Sequence, residues 1–379
     1  MSSTADHQPE SYLQKMTIRY PDILTQIETI DPVAYAKTRN FTDGAVTRLS
    51  PYISRGVISG RQIISSLKQR GFQPPEMMTL LREFSWREYN QRVWQARGAE
   101  IDFDLKSSQE GVCEYGLPAA VLQHQTGIQA LDSAIEELYA TGYMHNHVRM
   151  YVASVVCNIA HCHWKIPAQW LYYHLHDADW ASNALSWQWV AGCFSNKKYF
   201  ANQENINLFT RTEQHETFLD VSYEELPALK VPEILPHMTK PALHTVLPAS
   251  HEISLRVELP VYIYNFYNLD PDWDSEVEAN RILLLEPDFF EMYPVSEHTM
   301  RFFLQLSQNI KDLQVFVGSF SDLSKLTGAE TVFYYKEHPS NVHYQGTEVP
   351  RDWLFPQVTG YFSSFSKYWK QCLKHLTTI

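Results

Sequence analysis

The sequence predicts a helical first half followed by a smaller α/β unit. Three observations predict it. Apolar residues recur at three and four through residues 15–205, as in LLREFSWREYNQRVW and ALDSAIEELYATGYMHNHVRMYVASVVCNIAHCHW, the period of a helix with one buried face. Pro227, Pro232, Pro236, Pro241, Pro248 and Pro260 then make long regular elements unexpected between the halves, because proline lacks a backbone donor. Beyond Pro260 the apolar runs VYIYNF, RILLLEP and LQVFVG bracket a helical stretch, TMRFFLQLSQNI. Strand, helix, strand at that spacing implies parallel pairing.

Taken in order, residues 1–14 read as a frayed tail and residues 15–210 as the helical domain. Within it Pro74-Pro75 and Pro118 mark loops, and Gly142 marks a turn between two helices,. Residues 211–259 read as a proline-rich connector and residues 260–379 as the α/β domain. A later apolar run there, TVFYY, adds a candidate strand.

Formal net charge is −12, unevenly spread. Residues 1–210 hold 18 Lys+Arg against 20 Asp+Glu, and residues 211–379 hold 13 against 23. An acidic second half disfavours non-specific nucleic-acid binding there. The first half leaves room for a local basic patch. Five Cys at irregular spacing, with no CxxC pair, fit reduced thiols. No signal core or membrane-length apolar run is seen, so a soluble, cytoplasmic protein is expected.

Four stretches carry candidate chemistry. VTRLSP (Val46 to Pro51) is a polar turn opening a helix, where backbone N–H groups suit a phosphate or form only a cap. Glu83, Trp86 and Arg87 share one helix face, either as a grip on a flat polar ring or as a salt bridge beside a core Trp. Asn146, Arg149 and Met150 repeat that spacing. A buried amide and guanidinium need partners, and Asp177 or Asp179 is the natural one for Arg149. The segment DADWASNALSWQW (Asp177 to Trp189) places Asn183 and Trp187 four apart. His145, His147, His161, His163, His174 and His176 lack zinc spacing, so no metal is expected.

The order of RLSPYIS, LLREFSWREY, TGIQALDSAIEEL, TGYMHNHVRMYVAS and DADWASNALSWQWVAG resembles the FAD-binding domain of the DNA photolyase and cryptochrome family over residues 30–203. The resemblance implies a helical FAD-binding domain of photolyase type. Tyr35, Thr47, Arg48, Leu49 and Ser50 then resemble the residues that hold the FAD phosphates. Asp177, Ala178 and Asp179 match the isoalloxazine and ribityl region with Arg149, and Asn183 matches the residue facing flavin N5. Arg87 and Asn146 fall beside the same cofactor. Trp187 and Trp164 match the proximal and middle members of an electron-transfer chain. Its surface member has no clear match, and Tyr115 and Trp170 are the candidates. Glu83, Trp86, Asn146, Met150 and Trp189, with Arg39 and Arg87 nearby, resemble a cyclobutane-dimer pocket that takes flipped bases.

Departures accompany the match. Tyr143 stands where many relatives carry Trp, His147 where many carry Arg, and Ala178 where Gly is usual. The family's N-terminal α/β domain is missing, because the helical module starts near residue 15. Residues 260–379 supply an α/β pattern, Rossmann-like, so the two domains are expected to be permuted. An antenna chromophore is left open. The resemblance implies a light-driven lyase acting on pyrimidine dimers in DNA. The alternatives are a blue-light receptor that binds a protein through its acidic half, or a flavoprotein without repair activity.

Overall fold

Pro74 and Pro75 open the longest helix rather than a loop. Proline suits a first helical turn, where its missing N–H would have no partner, and Gln73 with Glu76 completes a capping box. The computed structural model describes residues 16–195, 197–250, 252–328 and 330–378. The expected tail over 1–14 lies outside them.

The helical half contains α1 (Tyr20–Glu28), α2 (Pro32–Thr38), α3 (Ser50–Ser54), α4 (Gly60–Gln69), α5 (Pro74–Arg97), α6 (Ala119–Leu122), α7 (Gln129–Thr141), α8 (Asn146–Ser154), α9 (Lys165–His174), α10 (Trp180–Ala191) and α11 (Gln203–Thr210). Gly142 ends α7 in the left-handed region, at φ 70°, which glycine adopts without a Cβ penalty. α8 runs on into one π-helical turn, Val155–Ile159, which periodicity did not reveal. α10 is apolar nearly all round, and it sits between α5, α8 and α9. Trp164, Trp170 and Trp180 are each at most 1% exposed, so much of the tryptophan content is core.

The connector carries no long element, but it is pinned. Pro118 lies in β1 (Leu117–Pro118), not in a loop. β1 pairs antiparallel with β2 (Met238–Thr239). The second half forms a parallel sheet of β3 (Val261–Tyr264), β4 (Asn280–Leu285), β5 (Leu313–Val317), β6 (Phe333–Lys336) and β7 (Thr347–Val349), in the order β5-β4-β3-β6-β7. Ile263 faces Ile282, and Leu283 faces Val315. Every residue of β3 and β4 is buried, as central parallel strands covered on both faces require. β7 is a short, largely exposed edge strand without an apolar run to announce it. The helices here are α12 (Pro287–Met292), α13 (Glu297–Ser307), α14 (Phe320–Leu326) and α15 (Phe365–Cys372).

The two halves meet at Arg55, which is fully buried. Its guanidinium lies 3.5 Å from the Phe266 ring centroid and donates to the carbonyl of Ala178. Its own carbonyl accepts from the Leu269 N–H at 2.8 Å. Gly56 follows at φ +66°, where a Cβ would come within 2.6 Å of the Tyr267 carbonyl oxygen. Glycine is thus required twice over, for conformation and for clearance.

His176 sets an acid limit on this packing. Its ring stacks on Phe302 at 4.3 Å and 2°, and neither ring nitrogen has a partner. Burial, with His298 alongside, pushes its imidazole down to about 3. The unfolded chain therefore binds this proton below the ordinary histidine range while the folded chain does not. Stability is full above about pH 6.5 and falls as the pH drops toward the folded value, by about 2 kcal/mol at pH 5 from this group alone. His176→Phe keeps the stack and should flatten that slope. Urea denaturation at pH 7 and pH 5 measures it.

Candidate active site

Asp177 and Asp179 lie where the chain passes from α9 to α10. Asp179 caps α10, accepting from the Ser182 N–H at 2.8 Å. Both carboxylates are buried, so each needs a cation or strong donors. Arg149, on α8, meets Asp177 Oδ2 at 3.0 Å and also donates to the Met144 carbonyl. Arg87, on α5, lies 3.7 Å from Asp179 Oδ2. Gln91, one turn further along α5, donates to that oxygen at 2.6 Å. Burial pushes the Asp177 carboxyl up, but Arg149, Arg87 and Ser50 outweigh it and hold it below the usual carboxylate range.

The expected residues of the VTRLSP turn gather beside this pair. Ser50 opens α3 within reach of Asp177. Arg48 adopts φ 53°, an uncommon backbone state for a side chain of this size, and lies over the Tyr143 ring at 5.1 Å. The Thr47 hydroxyl accepts from the Leu49 N–H at 3.4 Å, and Leu49 is fully buried. Tyr35 lies on α2, its phenol pushed up by burial and by Glu83. Ser54 joins the two sides. Its hydroxyl donates to the Asp177 carbonyl at 2.9 Å and accepts from Arg87 at 2.6 Å.

Other expected residues are placed differently. Asn146 is exposed at the start of α8, not buried. Arg87 turns inward to Ser54 and Asp179. Asn183 is half-buried and donates to the Ala168 carbonyl at 2.8 Å. Ala178 is fully buried. Arg39 pairs with Glu83 at 3.3 Å. Burial pushes the Glu83 carboxyl up, against Arg39 and Arg82. Met150 packs at the edge of the core. Trp189 is 37% exposed and leans on Tyr199. Trp86 is stacked on Phe365 of α15, with centroids 3.7 Å apart and 11° between the planes.

The tryptophans divide clearly. Trp187 is buried on α10. Trp164 is buried and donates its indole N–H to Asp104 at 2.7 Å. His163, 3.2 Å from the same carboxylate oxygen, stacks on Tyr115, which is 66% exposed. Trp170 is buried and bonded to the Tyr139 hydroxyl. Of the two surface candidates, only Tyr115 reaches solvent.

Asp104, Arg55 and Phe365 were missed because each lies far along the chain from its partner, with no local pattern. Gln91 was within reach of sequence reasoning, one turn beyond Arg87 on the same helix face.

The donor and acceptor set fits FAD. Asp177 Oδ1 and the Ser182 hydroxyl are buried without partners. A buried carboxylate oxygen left unbonded destabilises the fold, and a ring N–H or a ribityl hydroxyl is the donor it lacks. Residues 80–253 match the family model described as the FAD binding domain of DNA photolyase. A deoxyribodipyrimidine photo-lyase of Vibrio cholerae is 29% identical over 248 residues, covering 60% of this chain and 51% of that protein. A cryptochrome DASH of Ostreococcus tauri is 29% identical over 167 residues, covering 42% and 30%. A Synechocystis cryptochrome structure is similar at TM-score 0.47 and 23% identity, covering 52% of this chain and 44% of that one. The chain spans about half the length of the Vibrio relative, and less of the others.

The helical half is thus a flavin-binding module, with FAD as its cofactor. It is similar to the FAD-binding domain of the DNA photolyase and cryptochrome family.

Arg149→Met leaves the Asp177 carboxylate buried and uncompensated. Loss of one partner of such a pair costs about 3 kcal/mol or more. A matching Asp177→Asn change should recover part of it. Chemical denaturation of the single and double variants tests the pairing, with flavin content as the second readout.

Proposed function

We propose that the chain is a blue-light-driven flavoprotein that splits cyclobutane pyrimidine dimers in DNA. The observation that carries the flavin part is Asp177, with one oxygen held by Arg149 and the other buried and unbonded. Bound there, FAD would supply light-driven one-electron chemistry. The chain supplies position and charge.

Tyr35, Thr47, Arg48, Leu49 and Ser50 hold the cofactor's phosphate side. Arg149, Arg87 and the aspartates hold its ring and ribityl side. Asn183 sets the polarity at flavin N5. Trp187, Trp164 and Tyr115 carry an electron inward from the surface, with the Asp104 carboxylate stabilising positive charge on Trp164. Burial raises the Glu83 carboxyl, and in its protonated form it would donate to a dimer carbonyl as negative charge grows there. Trp86, Met150, Asn146 and Trp189 line the space for the flipped bases, and Arg39 holds Glu83.

The parallel sheet over Val261–Val349 serves as the counterpart of the family's α/β domain, in permuted order. Supporting this is the strand order, which runs outward in both directions from β3.

One observation favours the second reading, a photoreceptor with a protein partner. The stack of Phe365 on Trp86 covers a surface that a base would need. His147 adds to it, with its ring held by the Asn40 carbonyl at 3.0 Å and pushed toward neutrality by burial.

Purified protein should be yellow. Blue light with a reductant should remove dimers from an oligonucleotide, scored by restored base absorbance. FAD-loaded protein that leaves dimers intact under prolonged light would rule out the repair activity. Trp187→Phe should abolish bleaching of the flavin absorbance. An unchanged bleaching rate would point to a flavoprotein without light-driven chemistry.

A further inference from the structure

Trp164 is fully buried, so its indole N–H does not meet water directly. It donates to Asp104 Oδ1 at 2.7 Å. His163 Nε2 lies 3.2 Å from the same oxygen. His163 Nδ1 accepts from the Lys165 N–H at 3.3 Å, so Nε2 carries the ring proton and donates it. Asp104 Oδ2 accepts from the Gln109 N–H at 2.7 Å. Three donors thus converge on one carboxylate, whose side chain is 21% exposed.

Gln109 fixes the pair from both sides. Its side-chain carbonyl accepts from the Trp164 backbone N–H at 3.0 Å, and its amide donates to the Cys162 carbonyl at 2.8 Å. A core tryptophan needs one acceptor for its N–H, and Trp180 shows that simpler arrangement, donating to Asp102 Oδ1 at 2.7 Å. Asp104 differs in where it leads. The His163 ring beside it stacks on Tyr115 at 5.4 Å, and Tyr115 is open to solvent. The carboxylate stands between a sealed indole and the surface.

We infer, from the reading that Trp187 and Trp164 pass electrons in turn, that Asp104 is the base that takes the Trp164 indole proton when this ring is oxidised. Loss of an electron makes an indole N–H strongly acidic, and an unpaired positive charge in a buried site is costly. The oxidant is Trp187, after it has given an electron to light-excited FAD. One electron leaves Trp164 and returns Trp187 to its neutral form. The N–H bond of Trp164 breaks, and its proton forms an O–H bond at Asp104 Oδ1. The products are a neutral indolyl radical and a carboxylic acid. A base must lie within hydrogen-bond reach of the proton it takes, and 2.7 Å meets that requirement. Return of the electron then requires return of the proton, so the charge separation lasts longer.

The test is flash photolysis of the FAD-loaded full chain in ordinary and in heavy water. In the unaltered chain the absorbance of a neutral indolyl radical should appear, and more slowly in heavy water. Trp164→Phe should remove it. Asp104→Asn keeps an acceptor for the indole but cannot take its proton. There the neutral radical should be lost, with a shorter-lived indole radical cation in its place. Asp104→Glu should restore the neutral radical, and Asp102→Asn, beside Trp180, should match the unaltered chain. A radical cation that persists in the unaltered chain would overturn the proton step and leave the electron path standing. So would a neutral radical that forms at the unaltered rate in Asp104→Asn. If no tryptophan radical forms in any of these proteins while FAD is bound, the electron path fails and the proton step fails with it. Should Asp104→Asn not fold, the unaltered chain decides alone, and equal rates in the two waters would overturn the proton step.

Discussion

Two carboxylates buried two residues apart repel each other unless each has a cation or strong donors of its own. Asp177 and Asp179 meet that demand through different helices. Arg149 comes from α8 and Arg87 from α5. The need for both partners fixes where α5, α8 and the start of α10 converge. Ser54 then ties the two arms together, taking a hydrogen bond from Arg87 and giving one to the Asp177 backbone. Charge balance thus sets the frame, and the tryptophan-rich core fills it. Asp177 Oδ1 and the Ser182 hydroxyl beside it are left buried without partners.

The residues proposed for the electron path and for the substrate pocket leave this centre along different elements. Trp164 and His163, just before α9, both meet Asp104 in the loop that follows α5. Trp86 sits on α5 and meets α15.

Much of this was legible in the sequence, for identifiable reasons. α5, α7 and α8 carry strong helical periods, and the glycine between α7 and α8 does what glycine does at a helix end. That Arg149 pairs with one of the two aspartates followed from the requirement that a buried guanidinium find a carboxylate, and the structure selects Asp177. The central strands β3 and β4 were visible as continuous apolar runs. β7 was not, because an exposed edge strand has no burial to shape its composition. Pro74 was misread because proline breaks a helix interior yet suits a helix start, and only the downstream capping glutamate separates the two. Asn146 was expected to be buried from its helical spacing to Arg149, but a residue at the first position of a helix looks outward past the end of the core. Phe365 lay beyond any local pattern, since its meaning comes from a partner almost the whole chain away.

Arg55 carries one further consequence. It is a fully buried cation, held by a carbonyl from the α9–α10 loop and by an aromatic ring from the segment that follows β3. Removing either half would strand that charge in the open or against unpaired apolar surface. The helical module and the sheet therefore share the burial of this one side chain. For such a chain, the order in which its parts appear in the sequence matters less than the single core they must build together.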